Sequence, residues 1–238
     1  MAAAQDRNRR TLYGRRSGRK LRPGRAALFR DRIQSIGIDP ALPEGGRLDP
    51  TTLFASPVDE VWLEIGFGNG EHLAAQAAAN PRVGFIGCEP YMAGVARLLA
   101  TLEERALGNV RVLMDDARLL LPALSAASIG RAFLLFPDPW PKTRHHKRRF
   151  VSGPNVAGMA RILTDGAEWR MATDDMSYCR WMLRHLHDCP DFAWQARTAS
   201  DWRQRPDDWP ETRYERKALA QGRKCVYLRY RRRARGQA

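Results

Sequence analysis

Five short apolar runs, each followed by a helix-forming stretch, restrict this chain to a narrow set of folds. The runs cover 58–65, 83–88, 110–114, 131–136 and 169–173. Helices are expected at 71–79, 92–105, 118–125 and 176–187. Ser152 is placed to cap another that runs to Leu163 with Pro154 in its first turn. Strands that alternate with helices form a parallel sheet covered on both faces, because parallel neighbours need a crossover. Segments 192–196 and 225–230 are expected to close the sheet as its last strands. The predicted architecture is α/β, Rossmann-like, with a mostly parallel seven-stranded sheet. Ligands of such sheets lie beyond the carboxyl ends of the strands, where the strand order reverses.

The sharpest break in the pattern follows the fourth run. Phe136-Pro-Asp-Pro-Trp-Pro-Lys142 packs three prolines into a short turn and continues as Thr143-Arg-His-His-Lys-Arg-Arg149. Proline neither extends a strand ladder nor sits inside a helix, so the chain must turn rigidly there. The turn holds one acid, Asp138, and one large aromatic, Trp140, beside five Lys or Arg residues. An acid and an aromatic at the mouth of a parallel sheet, inside a basic collar, point to chemistry on a base of a polyanion. Trp140 either stacks on that base or packs the turn. Lys142, Arg144, Lys147, Arg148 and Arg149 are expected to engage phosphates, with His145 and His146 as partly charged contacts beside them.

Charge supports a polyanionic partner. The 238 residues carry a formal net charge of +14, and it is unevenly spread. Residues 1–30 hold ten Lys or Arg against one acid, and residues 213–235 hold ten against one. Such a balance favours nucleic acid or an anionic surface. Apolar anchors beside the charge are sparse, which argues against a membrane surface. Residues 1–25 lack apolar periodicity and are expected to form a flexible basic arm, with a single domain over 26–238. That domain opens with a short helix at 26–36 and a loop at 37–49. No apolar run reaches the length of a transmembrane helix, and no apolar core follows the Arg-rich start to make a secretory signal. Gly14, Gly18, Pro23 and Gly24 would break the amphipathic helix of a transit peptide. Cys88, Cys179, Cys189 and Cys225 include no close pair at metal spacing, so reduced thiols, a cytoplasmic location and no metal are expected.

Leu63-Glu-Ile-Gly-Phe-Gly-Asn-Gly-Glu71 gives strand, glycine loop and helix in order. Gly66 and Gly68 let the backbone pass close beneath a ligand, and Gly70 opens the helix. A dinucleotide fingerprint needs glycine at 71. The Glu71 carboxylate would instead repel a pyrophosphate seated on the helix N-terminus. The G-x-G-x-G spacing after Glu64 resembles the first motif of S-adenosylmethionine-dependent methyltransferases, whose ligand is cationic and lacks phosphate. Glu89 ends the second strand, where an acid commonly accepts both ribose hydroxyls. Asp115 and Asp116 end the third and could read an adenine amino group. Asp116 is preferred, with one of the pair left to solvent.

With the pocket sequence and the proline-rich motif together, the chain resembles the bacterial tRNA (guanine-N7)-methyltransferases. The likeness runs from about Trp62 to Tyr230, and includes Ala172-Thr-Asp-Asp175 and Glu211-Thr-Arg-Tyr-Glu-Arg-Lys217. It implies a class I methyltransferase fold, S-adenosyl-L-methionine as donor with S-adenosyl-L-homocysteine as product, and the variable-loop guanine, guanosine 46, of tRNA as acceptor. It further implies that Glu64, Gly66, Gly68, Gly70, Glu89, Asp116 and Asp138 border the cofactor. Lys142, Arg144, Asp174, Thr212, Arg213, Tyr214 and Glu215 would border the substrate, with the protein a monomer or weak homodimer. Cys88 and Pro90 depart from the family pattern. The N-terminal arm and the basic tail at 231–235 are read as lying outside the likeness.

The chemistry is consistent on its own terms. Guanine N7 offers a lone pair and no proton, so its methylation needs no general base. Positive charge develops on the purine, and Asp138 is the residue expected to be catalytic by stabilising it. Asp174 could do the same from the next strand end. The nearest enzymatic alternative, an exocyclic-amine methyltransferase, would use an Asp-Pro-Pro-Tyr motif, from which Asp138-Pro-Trp-Pro141 differs. A non-catalytic RNA-binding relic would have no reason to retain the glycines and strand-end acids together. Trp202 and Trp209 are read as surface residues of a loop at 203–210, a lid or a linker.

Overall fold

A computed structural model describes residues 16, 18, 20–39 and 48–236. The expected basic arm therefore falls largely outside the described residues. In chain order the elements are α1 (Pro23–Ile36), β1 (Glu60–Ile65), α2 (Glu71–Ala79), β2 (Val83–Cys88), α3 (Met92–Glu104), β3 (Val110–Leu113), α4 (Ala117–Leu120) and β4 (Ile129–Leu135). There follow α5 (Gly153–Ile162), β5 (Leu163–Thr173), α6 (Met176–His187), β6 (Phe192–Trp194), α7 (Ser200–Arg203), α8 (Arg213–Ala220) and β7 (Val226–Arg232).

All seven strands join one sheet in the order β3-β2-β1-β4-β5-β7-β6. Strands β1 to β5 pair in parallel, and β7 runs antiparallel between β5 and β6. The mostly parallel seven-stranded α/β fold read from the sequence is what the chain forms. The order reverses between β1 and β4, so a ligand crevice opens at their carboxyl ends.

Period-2 alternation builds a core on each face. Val61, Leu63 and Ile65 pack with Val156, Met159, Tyr178, Met182 and Leu186 from α5 and α6. Trp62, Phe85 and Phe133 pack with Leu73 of α2 and with Val95, Leu98 and Leu99 of α3 on the other face. Each fully buried side chain of this size contributes about 1.5–3 kcal/mol. Among the described residues no helix is long and apolar enough to cross a membrane.

Several boundaries move for local reasons. α1 starts at Pro23 rather than 26, with proline in the first turn where its missing N–H is harmless. The helix expected over 118–125 stops at Leu120; Leu121 is still helical, but Pro122 has no N–H to donate to the next carbonyl of the ladder. β5 begins at Leu163, directly from the end of α5, and is more than twice the expected length. α8 is not announced by the hydrophobic pattern, although its start carries a capping box. Thr212 accepts from the Glu215 N–H at 3.1 Å while Glu215 reaches back to the Thr212 N–H.

Candidate active site

The glycine loop between β1 and α2 takes a shape that side chains oppose. Gly66, Gly68 and Gly70 have φ of 72, 60 and 82°, all left-handed. The neighbouring Gly94 of α3 is also required, since a Cβ there would lie 2.1 Å from the Gly68 carbonyl oxygen. The loop is thus held down by α3, and its Gly66 and Gly70 N–H groups donate to the Cys88 and Phe67 carbonyls at 2.8 and 2.9 Å. Glu64 lies beneath it, buried, with its carboxylate 2.7 Å from His72 Nδ1. His72 sits in the first turn of α2, and nothing in the sequence pattern marked it.

Glu89, at the end of β2, accepts from the Gly68 N–H and from the Tyr91 N–H, each at 2.9 Å and each on a different oxygen. Burial raises its pKa, the two backbone donors pull it down, and the nearby Asp138 carboxylate raises it further. One lone pair on each oxygen is left for a ligand.

The acids after β3 are both engaged, contrary to the expectation that one is solvated. Asp116 caps α4 through the Arg118 N–H at 2.9 Å and pairs with the Arg118 guanidinium at 2.7 Å. Asp115 accepts from a single Arg16 Nη2 on both oxygens, at 2.9 and 3.1 Å, and from the Asp116 N–H at 2.7 Å. The Arg16 carbonyl in turn accepts the Met92 N–H at 3.1 Å. A described fragment of the basic arm therefore crosses the ends of β2 and β3.

Asp138 stands at the end of β4, across the strand-order switch. It makes no hydrogen bond or ion pair among the described residues. Asp138 is exposed, yet the atoms packed around its carboxylate displace enough water to raise its pKa. Its turn is bracketed by left-handed Phe136 (φ 49°) and Trp140 (φ 45°), each directly before a proline. Non-glycine residues in that region are strained by about 1–3 kcal/mol each. The Phe136 N–H donates to the Ala172 carbonyl at 2.8 Å and ties the turn to β5.

Trp140 packs the turn. The Arg148 guanidinium lies 4.8 Å from its ring centroid, and His145 meets it edge-on at 6.0 Å. Lys142, Arg144 and Lys147 are exposed, as phosphate contacts must be. Arg149 is not available to phosphate. It is 2% exposed, and its Nε donates to the Pro139 carbonyl at 2.8 Å. His145 is also less charged than expected, since local desolvation and its cationic neighbours Arg148, Arg144, Lys142 and Lys147 lower its pKa.

Asp174, at the end of β5, is paired with Arg223. Thr212 and Glu215 are buried, and the Glu215 carboxylate accepts from Tyr227 Oη at 2.5 Å and from Arg205 at 3.0 Å. These two anchor α8 and leave Arg213 and Tyr214 outward. Tyr214 is 55% exposed and its ring rests over Gly68, where a Cβ would come within 3.0 Å. Desolvation, then the Glu89 and Asp138 carboxylates, raise its pKa. Loop 203–210 is pinned: Asp208 pairs with Arg170 at 2.7 Å, and its carbonyl accepts from Gln76 at 2.9 Å. Trp209 is buried against Tyr227, not on the surface.

A family described as "Putative methyltransferase" matches residues 59–228. The tRNA (guanine-N(7)-)-methyltransferase of Rhodospirillum rubrum is 51% identical, over 94% of this chain and 88% of its own length. The chain belongs to the tRNA (guanine-N7)-methyltransferase family. The Paramagnetospirillum magneticum member is 49% identical over 98% of this chain and 96% of its own length. Coverage that complete includes the basic arm and tail, so the family likeness is wider than the motifs alone indicated. Among solved structures, 16S rRNA methyltransferase KamB superposes with a TM-score of 0.52 at 16% identity, over 81% of this chain and 99% of its own. An rRNA methylase from Streptococcus thermophilus superposes at 0.51 and 10% identity, over 74% of this chain and 89% of its own. Both likenesses concern the fold.

Proposed function

We propose that this chain transfers a methyl group from S-adenosyl-L-methionine to N7 of guanosine 46 in the tRNA variable loop. The observation that carries the reading is the Asp138 carboxylate, partnerless at the strand-order switch beside Glu89 and Tyr214, in a chain about half identical to relatives named for that reaction.

The crevice suits the donor. Its left-handed glycine loop leaves room above Gly66, its rim carries acids, and Glu89 retains lone pairs for ribose hydroxyls. The bound donor supplies an electrophilic methyl on a sulfonium. Glu89 orients the ribose, and the Asp115–Asp116 pair borders the adenine end. Glu64 and His72 support the loop from below. Tyr214 and Arg213 cover the crevice from α8, and Lys142 and Arg144 hold RNA phosphates at its rim. Asp138 faces the guanine and opposes the positive charge that grows on the ring, and Asp174 borders the base from β5. No residue has to remove a proton, because N7 carries none. Holding N7 in line with the methyl supplies most of the rate, about 7–11 kcal/mol in well-oriented systems.

The reading places the enzyme in the cytoplasm, as a monomer or weak homodimer, with residues 1–25 serving as a polyanion-binding arm on one catalytic domain. Incubation with methyl-labelled donor and unmodified tRNA, followed by cleavage specific for N7-methylguanine, tests it. Label on an exocyclic amine, or no label, would overturn it.

A further inference from the structure

The catalytic turn is strained at both ends, so something must hold it. The Asp138 side chain contributes nothing, having no partner. The brace is Arg149, eleven residues further on. Its Nε donates at 2.8 Å to the carbonyl of Pro139, the residue that directly follows Asp138. Its terminal nitrogen donates to Ser177 Oγ of α6 at 3.3 Å. The guanidinium lies 4.9 and 5.2 Å from the ring centroids of Tyr178 and Trp181. Those rings are themselves fixed: Tyr178 Oη accepts the Phe150 and Val151 N–H groups at 3.0 and 3.3 Å, and Trp181 Nε1 donates to the Val151 carbonyl at 2.6 Å. Arg149 is therefore clamped between α6 and the turn.

A second arginine extends the chain of contacts toward the cofactor side. Arg118 pairs with Asp116 at 2.7 Å and donates to the Arg148 and Arg149 carbonyls at 2.9 and 3.2 Å. Arg118 thus fixes the backbone of Arg149 from the β3 side, while the Arg149 guanidinium holds the Pro139 carbonyl beside Asp138.

We propose that Arg149 is a positioning residue for methyl transfer, holding the Asp138 turn in its strained form through the Pro139 carbonyl. Only a planar fork stacked between two rings can reach both Pro139 and Ser177, so lysine cannot replace it. Without the brace the turn relaxes toward the extended backbone that residues before proline prefer, and the exposed Asp138 carboxylate loses its fixed place against the neighbouring walls. The proposal rests on the N7-methyltransferase reading.

The experiment compares wild type with Arg149→Lys and, as a milder perturbation, Ser177→Ala. It measures kcat and KM with unmodified tRNA, S-adenosyl-L-homocysteine affinity by calorimetry, melting temperature, and the acid limb of the kcat profile. Arg149→Lys is expected to lower kcat at least tenfold, with homocysteine-cofactor affinity and tRNA KM within twofold. Ser177→Ala is expected to lower kcat two- to fivefold and remains informative should the lysine variant fail to fold. The acid limb should move to lower pH in both. Asp138 faces Glu89 and Tyr214 as well as desolvating walls, and once hydrated it titrates nearer an ordinary carboxylate. A kcat within twofold of wild type in both variants would overturn the proposal. So would a kcat loss with an unmoved acid limb, or one matched by an equal loss of cofactor affinity. Absence of N7 methylation by the wild-type enzyme would instead overturn the functional reading.

Discussion

Replacing Asp138 by Asn tests the electrostatic mechanism with little steric change. A carboxylate about 4 Å from a full unit charge contributes about 4 kcal/mol at an effective dielectric near 20. With roughly half the charge developed at the transition state, about 2 to 3 kcal/mol is at stake, or a loss of roughly 10²-fold in kcat. No salt bridge of Asp138 offsets this, since it has none among the described residues. The same absence predicts that the fold survives. The folded-state pKa of Asp138 is raised by desolvation, so the native state favours its protonated form. Any stability tied to that preference is present in acid and lost as pH rises through the folded pKa. D138N should therefore melt no lower than wild type at pH 8, and any gain should vanish toward pH 4. Single-turnover methylation with saturating tRNA, beside calorimetric melting, provides both readings. Turnover within about threefold of wild type, or a melting temperature that falls at pH 8, would refute the reasoning.

Other outcomes follow from single contacts. Gly94→Ala places a methyl against the Gly68 carbonyl, so S-adenosyl-L-homocysteine affinity should fall at least about tenfold by calorimetry while the helix content holds. Gly66 is left-handed with open space above it, so Gly66→Ala should cost about 1–2 kcal/mol from backbone conformation alone. Gly153→Ala, equally open but without positive φ, should be neutral or slightly stabilising, and differential melting compares the two. Each of Lys142→Ala, Arg144→Ala and Lys147→Ala should flatten the log–log salt dependence of tRNA binding by about 0.7–0.9, measured by filter binding from low to moderate salt.

The sheet and the glycine loop were legible because their signals are local: apolar runs, left-handed glycines and prolines each act within a few residues. Strand-end acids were found for the same reason, as the sheet's period fixes where they emerge. Their partners were not legible. His72 beneath Glu64, Arg118 on Asp116 and Arg223 on Asp174 depend on how loops fold back, which spacing does not encode. Arg149 looked like one more cation of a basic run, and only tertiary burial separates it from Lys147 two residues earlier. Trp209 was assigned to the surface by its polar neighbours, yet Tyr227 and Arg170 enclose it. The start of α8 was a missed local signal, since Thr212 and Glu215 have the spacing of a capping box.

Because β7 enters the sheet against the direction of its neighbours, its first residues emerge at the same rim as the glycine loop, with α8 immediately before them. The glycine loop, Glu89 and Gly94 lie in the first half of the chain, whereas the roof at Tyr214 comes from the segment between β6 and β7. A nascent chain halted before β7 would expose the long side of β5 and an uncovered crevice. Closing the crevice thereby depends on pairing between segments far apart in the sequence.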